Sequence, residues 1–250
     1  MSQGARRALV TGATSGLGLH VCERLARDGW SVTGVGRRDI ESAGEREPGE
    51  LSFLRADLGD RSAVSSLLES IEGLPQLLVL AAVAYPSPSD EDLTFAFEVN
   101  ALSAYRLGRA LLARGPRGDP CQVVVINSES INRADERSGT YAASKAALRV
   151  LTHALAASCR GSGRAVATLT LGPLADERKT SEIVALAATR KAEPAEITRL
   201  FLRRSNPDLL IDRFIDFDAC YSAVSWIASM GPIANGMVVK LDGGSAGSLG

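Results

Sequence analysis

Histidine and cysteine are scarce in this chain. Its two histidines, His20 and His153, stand far apart, and its four cysteines, Cys22, Cys121, Cys159 and Cys220, form no Cys-x-x-Cys pair. That scatter argues against a zinc site and a disulfide framework; no metal is expected, and the thiols read as buried or incidental. No apolar run approaches the ~20 residues that span a bilayer. Met1 to Arg7 is short and polar and leads straight into Ala8-Leu9-Val10, so no signal peptide is expected, and the protein is expected in the cytoplasm. A surplus of either charge is missing too. The net charge of −1 gives no reason to expect nucleic acid or an anionic membrane as partner. Internal repeats and low-complexity linkers are absent. What remains is an ordinary globular composition, 45% hydrophobic and 23% charged over 250 residues, which suits one large domain spanning residues 1–250.

Short apolar runs alternate with helical patterns along the chain, which predicts βαβ units and a parallel sheet. Strands are expected at Ala8–Thr11, Ser31–Val35, Ser52–Arg55, Leu77–Ala81, Gln122–Ile126, Val166–Leu171 and Met237–Leu241. Helices are expected near Gly16–Asp28, Arg61–Glu72, Leu93–Ala113, Gly139–Ser158 and Asp216–Ser229. Continuous apolar strands of this kind belong to sheets covered by helices on both faces. The segment 175–213 is too long for a simple connection. Ile183, Leu186 and Ala187 recur there at helical spacing, as do Ile197, Leu200 and Phe201, with Pro194 suited to a first turn. This predicts a helical excursion over the site rather than a second domain.

Thr11-Gly12-Ala13-Thr14-Ser15-Gly16-Leu17-Gly18 falls where the first strand turns into the first helix. Glycines there permit a tight turn and close backbone approach to a pyrophosphate, which the exposed N–H groups and the positive helix end would hold. Similar turns also occur in ordinary strand-to-helix corners.

The second motif is Tyr141-Ala142-Ala143-Ser144-Lys145, with Ser128 upstream. Positions i and i+4 of a helix share a face, so the phenol and the ammonium point into one space. A nearby cation favours the phenolate and brings its pKa, about 10 in isolation, toward the working range of a proton carrier. A serine hydroxyl can hold the oxygen that gains or loses the proton. Taken singly, Tyr141 could pack an amphipathic face, Lys145 could be a solvated charge, Asn100 could interrupt its helix and Ser128 could cap a loop. Ser130 competes with Ser128, and Glu129 reads as a loop charge or a substrate contact.

The glycine turn joined to Asn100, Ser128 and Tyr141-x-x-x-Lys145 resembles the short-chain dehydrogenase/reductase family, in its single-domain branch. Asp57-Leu58 is similar to the family's acidic turn beside the adenine, and Asp242-Gly243-Gly244 to its ending after the last strand. The resemblance implies a Rossmann-like, doubly wound parallel sheet of about seven strands. It implies that Tyr141 is the general acid, Lys145 the residue that lowers the tyrosine pKa and holds the nicotinamide ribose, Ser128 the substrate-oxygen donor, and Asn100 the support of a water chain. It implies cofactor contacts from Gly12, Thr14, Ser15, Gly16, Leu17, Gly18, Asp57, Leu58, Ala81, Ala82, Gly172, Pro173 and Leu174, besides Tyr141 and Lys145. A homotetramer or dimer is implied through the helices carrying Asn100 and Tyr141.

At the end of the second strand, where the family places an acid that binds the ribose 2′-hydroxyl, this chain has Gly36, followed by Arg37 and Arg38. A guanidinium there can pair with a 2′-phosphate, so NADPH is expected rather than NADH; a solvated loop end is the duller alternative. The chain departs from the family at Leu80-Ala81-Ala82-Val83, where Asn-Asn-Ala-Gly is usual, at Leu171-Gly172, and at Asp176, where a threonine often binds the carboxamide. The expected activity is reduction of a small or carrier-linked ketone, with specialised biosynthesis as the expected setting. Arg190, Lys191, Arg199, Arg203 and Arg204 form either a solvated face or a patch that steers an anionic substrate. Oxidation of an alcohol, or a cofactor-binding regulatory role without turnover, are the alternatives.

Overall fold

A computed structural model describes residues 6–39, 49–85, 90–133, 136 and 138–245; the polar start, Met1 to Arg7, lies mostly outside that range. Seven strands are β1 (Arg7–Thr11), β2 (Ser31–Gly36), β3 (Leu51–Arg55), β4 (Leu77–Leu80), β5 (Gln122–Ser128), β6 (Ala165–Leu171) and β7 (Val238–Leu241). They form one parallel sheet in the order β3-β2-β1-β4-β5-β6-β7. The chain leaves β3 at one edge and returns to the centre as β4 beside β1. That reversal opens a crevice at the carboxyl ends of β1 and β4.

Side chains alternate faces along a strand, so even an unbroken apolar run serves two cores. Leu77 and Val79 of β4, with Val124 and Ile126 of β5, pack toward Val21, Cys22 and Leu25 of α1 (Gly16–Arg27) and Val224 and Ile227 of α8 (Phe217–Ser229). Leu78 and Leu80, with Val123 and Val125, face α2 (Arg61–Ser70), α4 (Ala104–Leu112) and α5 (Gly139–Ser158) through Val64, Leu67, Leu107, Leu111, Leu148 and Leu155. Each leucine buried this way contributes about 2 kcal/mol from area removed from water. The buried residues of α1, at positions 18, 21, 22, 25 and 26, repeat at the helical period that its sequence implies.

The helix expected over Leu93–Ala113 is broken into α3 (Asp90–Phe97), a π-helical stretch (Glu98–Ser103) and α4. Asn100 sits within the widened stretch. The excursion after β6 consists of α6 (Glu177–Arg190) and α7 (Pro194–Ser205), which share a small core of Ile183, Ala187, Ile197, Leu202 and Phe214. Leu186, Leu200 and Phe201, expected on the buried stripes, are exposed; Leu202 takes the interior position on α7. No helix among the described residues is long and apolar enough to cross a membrane.

Candidate active site

A cleft of about 1000 Å³ opens over the carboxyl ends of the strands. Every residue expected to touch a cofactor lines it, and so do Ser128, Tyr141 and Lys145; Asn100 stands behind its wall.

At one end lies the glycine turn. Gly12 (φ +70°) and Gly16 (φ +55°) take left-handed backbone, which L side chains rarely adopt. A Cβ on Gly12 would lie 2.8 Å from Ala82 Cα, and one on Gly18 would lie 2.2 Å from the Gly12 carbonyl oxygen, so packing also demands both glycines. The turn delivers the chain to α1. Helices α2, α6 and α8 are each capped by an aspartate, with Asp60, Asp176 and Asp216 accepting from Ser62 N, Lys179 N and Ala219 N at 2.8, 3.0 and 2.7 Å. Ser15 at the head of α1 makes no such side-chain bond, and no acid stands in that first turn. A positive helix end without its own cap is an anion site, and here it faces the cleft.

Gly36 closes β2 against this turn. A Cβ there would meet Thr14 Cγ2 at 2.4 Å, so an acidic side chain has no room at that position. Arg37 and Arg38 follow at the rim. The Arg38 guanidinium donates to the Thr14 carbonyl at 2.7 Å, and that of Arg37 lies 5.8 Å from the centre of the Phe95 ring. Asp57 accepts from Gly59 N at 2.9 Å, and Leu58 is buried beneath it.

Ser128, the last residue of β5, occupies the other end. Asn127 fixes it by accepting from Ser128 N at 2.8 Å and donating to the Lys145 carbonyl at 3.2 Å, which ties β5 to α5. Ser130, the competing serine, donates its hydroxyl to Ser128 Oγ at 2.9 Å. The Tyr141 phenol is hydrogen-bonded with both Ser128 and Tyr85. Lys145, one turn along α5, is 3% exposed and donates from Nζ to the Ile126 carbonyl at 3.1 Å.

The electrostatics differ from expectation. Burial, then the Tyr85 phenol and Glu129, push the Tyr141 pKa upward against a lowering hydrogen bond from Ser128. Lys145, aimed at Ile126, does not reverse that rise; its own pKa falls to about 8 through burial. In this geometry the phenol holds its proton at neutral pH.

Asn100 spends its side chain on the scaffold. It donates to the Ala84 carbonyl at 2.8 Å and to Ser144 Oγ at 2.9 Å, and accepts from Ala84 N at 2.7 Å. Ser144 in turn donates to the Tyr141 carbonyl at 2.7 Å. In place of asparagines after β4, the Thr11 hydroxyl accepts from Ala81 N and Ala82 N at 3.0 and 3.2 Å. Val83 is 40% exposed and forms part of the cleft wall.

Beyond β6, Gly172 backs onto Asp242, whose carbonyl oxygen would lie 2.6 Å from an added Cβ. Asp176 serves as the cap of α6 and pairs with Lys179 Nζ at 3.0 Å. Burial pushes its carboxyl up, but the hydrogen bonds and charge of Lys179 outweigh that and leave it below the usual range. Glu129 is not a free loop charge, since it accepts from Ser245 Oγ at 2.5 Å. In the excursion, Arg199 and Arg203 each lie 3.6 Å from Asp212, which offsets part of the basic patch. Arg178, Lys179, Phe201 and Ser205 of α6 and α7 line the cleft.

Tyr85 escaped the sequence reading. Its ring stacks on Tyr141 with centroids 4.9 Å apart and planes at 30°. The only signal was an aromatic residue in a run of small ones after β4. The four cysteines are buried, and burial pushes the Cys121 and Cys220 thiols up to about 12, which leaves them inert. Among the described residues no cluster of His, Cys, Asp or Glu could hold a metal ion.

A glycine turn, an uncapped helix end and a Ser–Tyr–Lys group at one crevice define a nucleotide-binding oxidoreductase of the Rossmann class. The family model for short chain dehydrogenases matches residues 6–183, and the chain belongs to that family. It is 26% identical over 257 residues to the uncharacterized oxidoreductase YvaG of Bacillus subtilis, covering 98% of this chain and 97% of that protein. It is 33% identical to human L-xylulose reductase over 159 residues, 60% of this chain and 64% of that enzyme. Among solved structures, L-sorbose reductase from Gluconobacter frateurii, complexed with NADPH and L-sorbose, shares the fold. There the TM-score is 0.81 with 19% identity, and 96% of each chain is covered.

Proposed function

We propose that this protein reduces a ketone to an alcohol with NADPH, with Tyr141 as the general acid. The observation that carries the reading is one cleft holding both the uncapped, glycine-shaped end of α1 and the hydrogen-bonded hydroxyls of Ser128 and Tyr141, beside buried Lys145. The reductase relatives support carbonyl reduction, and the NADPH in the L-sorbose reductase structure supports the cofactor.

The residues fit a nicotinamide dinucleotide. Gly12, Thr14, Ser15, Gly16, Leu17 and Gly18 would hold its pyrophosphate, and Arg37 and Arg38 its 2′-phosphate. Asp57 and Leu58 would border the adenine, while Ala81, Ala82, Gly172, Pro173 and Leu174 would line the way to the nicotinamide. When bound, that group supplies hydride to the carbonyl carbon.

The chain's own residues manage the oxygen. Ser128, oriented by Asn127 and Ser130, donates to the carbonyl oxygen and places it against Tyr141. Tyr141 is protonated because burial raises its pKa, so it can give its proton as negative charge builds on that oxygen. Lys145, with a pKa near 8, carries positive charge at neutral pH and offsets the phenolate left behind. Asn100 holds α5 and the wall at Ala84 in register. The α6–α7 excursion covers the substrate side, and self-association uses the helices that carry Asn100 and Tyr141, where Leu102 and Val150 are exposed.

Fluorescence titration with NADPH and NADH tests the cofactor, and ketone-dependent NADPH oxidation tests the chemistry. NADPH should bind more tightly, Arg37→Ala should bring it toward NADH affinity, and Tyr141→Phe should abolish turnover while still binding NADPH. Tighter NADH binding would overturn the cofactor assignment. Binding of neither, or full turnover by Tyr141→Phe, would overturn the whole reading.

A further inference from the structure

Tyr85 has no task in the scheme above, yet it lies against the group that must meet the substrate. Its ring covers that of Tyr141 at 4.9 Å, and its hydroxyl shares the Tyr141 phenol with Ser128. Tyr85 is 73% exposed even so. The preceding residue is held by the Asn100 clamp on Ala84. A flat six-membered ring bearing an oxygen thus already rests where a substrate oxygen has to reach Tyr141 and Ser128.

The surroundings suit such a shape. Val83, Val99, Leu174 and Phe201 give the cleft apolar lining. Of the cations that line it from α6, Arg178 pairs with Glu182 at 3.4 Å and Lys179 with Asp176 at 3.0 Å, so neither is an unspent anchor for an anionic substrate. Phe201, 41% exposed, offers a second aromatic face.

We propose that Tyr85 is a stand-in for the substrate, and that the site takes a carbonyl attached to a flat ring, an aryl ketone, which displaces Tyr85 from Tyr141. The inference rests on the carbonyl-reductase reading and narrows its substrate class. An aryl ring regains, against the walls of the cleft, the stacking that the departing tyrosine gives up; a saturated ring of equal size does not.

The test is equilibrium binding of acetophenone and of cyclohexyl methyl ketone, similar in size but not flat, to the protein saturated with NADP+. Ligand-observed NMR titrations would be run on wild type, Tyr85→Phe and Tyr85→Ala, with melting temperatures checking the fold. Acetophenone should bind more tightly than the cyclohexyl ketone. Its Kd should fall by about twofold to twelvefold in Tyr85→Ala, the span expected when a competing stack is removed, and by less in Tyr85→Phe, which loses only the hydroxyl contact. Should Tyr85→Ala melt early, the smaller tightening in Tyr85→Phe decides. Equal binding of the two ketones, no tightening in either variant, or binding of neither ketone overturns the proposal. Turnover separates the two levels. Acetophenone that binds in this pattern but is never reduced leaves the aryl site standing and removes the reductase reading. Reduction of both ketones with indifference to Tyr85 does the reverse.

Discussion

Replacing Gly36 with aspartate is the obvious way to turn the proposed NADPH site toward NADH, and the structure predicts that it fails on its own. The new Cβ would lie 2.4 Å from Thr14 Cγ2, 2.7 Å from its Oγ1 and 3.1 Å from its Cβ. Rotating Thr14 gives little relief, because a β-branched side chain brings another heavy atom into the gap. Overpacking of this kind costs about 1–3 kcal/mol, or about 2–12 °C in melting temperature for a chain of this size. Meanwhile the carboxylate would repel a 2′-phosphate held by Arg37 and Arg38. At about 4 Å and an effective dielectric near 20, that repulsion approaches about 4 kcal/mol, which predicts a fall in NADPH affinity of about a hundredfold or more. The gain toward NADH should appear only when Thr14→Ala is added. That change removes the two closest atoms and leaves a contact of 3.1 Å, which a small shift absorbs. Thermal melts and cofactor titrations of the single and double variants measure both effects. A Gly36→Asp protein that melts like wild type and binds NADH as well as the double variant would refute the steric reasoning.

Three further outcomes follow from the geometry. Lys145 has a folded pKa near 8, below its ordinary 10.5, so the buried ammonium destabilises the fold at pH 7 and that cost fades as pH rises from about 8 to 10.5. Lys145→Met should therefore raise the melting temperature at pH 7, with the gain shrinking toward pH 9.5; a gain independent of pH would contradict the assignment. Thr11→Val strips two half-buried backbone donors, Ala81 N and Ala82 N, of their acceptor, and should cost about 1–3 kcal/mol in urea unfolding. A loss under about 0.5 kcal/mol would show that the hydroxyl does not bind the strand ends together. Val150, 70% exposed on α5, should carry self-association, so that Val150→Arg lowers the sedimentation coefficient; an unchanged value would move the contact elsewhere.

Much of this was legible before any coordinates. The β4 and β5 runs, apolar without interruption, predicted a sheet covered on both sides, and the alternation of Leu77 and Val79 against Leu78 and Leu80 shows why both parities had to be apolar. Ser128, Tyr141 and Lys145 could be placed together because helix geometry and the end of a strand fix short-range direction. The apolar pattern over 93–113 runs through the π-helical widening without a break, so only Asn100, as a residue that could interrupt its helix, marked where the widening falls. On α7, periodicity could not tell a core-facing Leu202 from a cleft-facing Phe201, because both a small core and a cavity border that helix. Tyr85 and the Glu129–Ser245 bond were out of reach for another reason: each depends on where two distant segments meet, and no spacing rule records that. Burial raises the Tyr141 pKa through its tertiary surroundings, which the i, i+4 spacing does not encode.

The bond from Ser245 to Glu129 has a practical side for anyone handling this protein. Ser245 is 1% exposed, also accepts from Asn206 Nδ2 at 3.1 Å, and sits one residue's width from Ser128 through Glu129. A purification tag joined close after Ser245 would load the segment that holds Glu129, the neighbour of Ser128, the serine proposed to bind the substrate oxygen. The chain enters β1 at Arg7, at the amino ends of the parallel strands and opposite the cleft, so a handle placed at the N-terminal side leaves that brace alone.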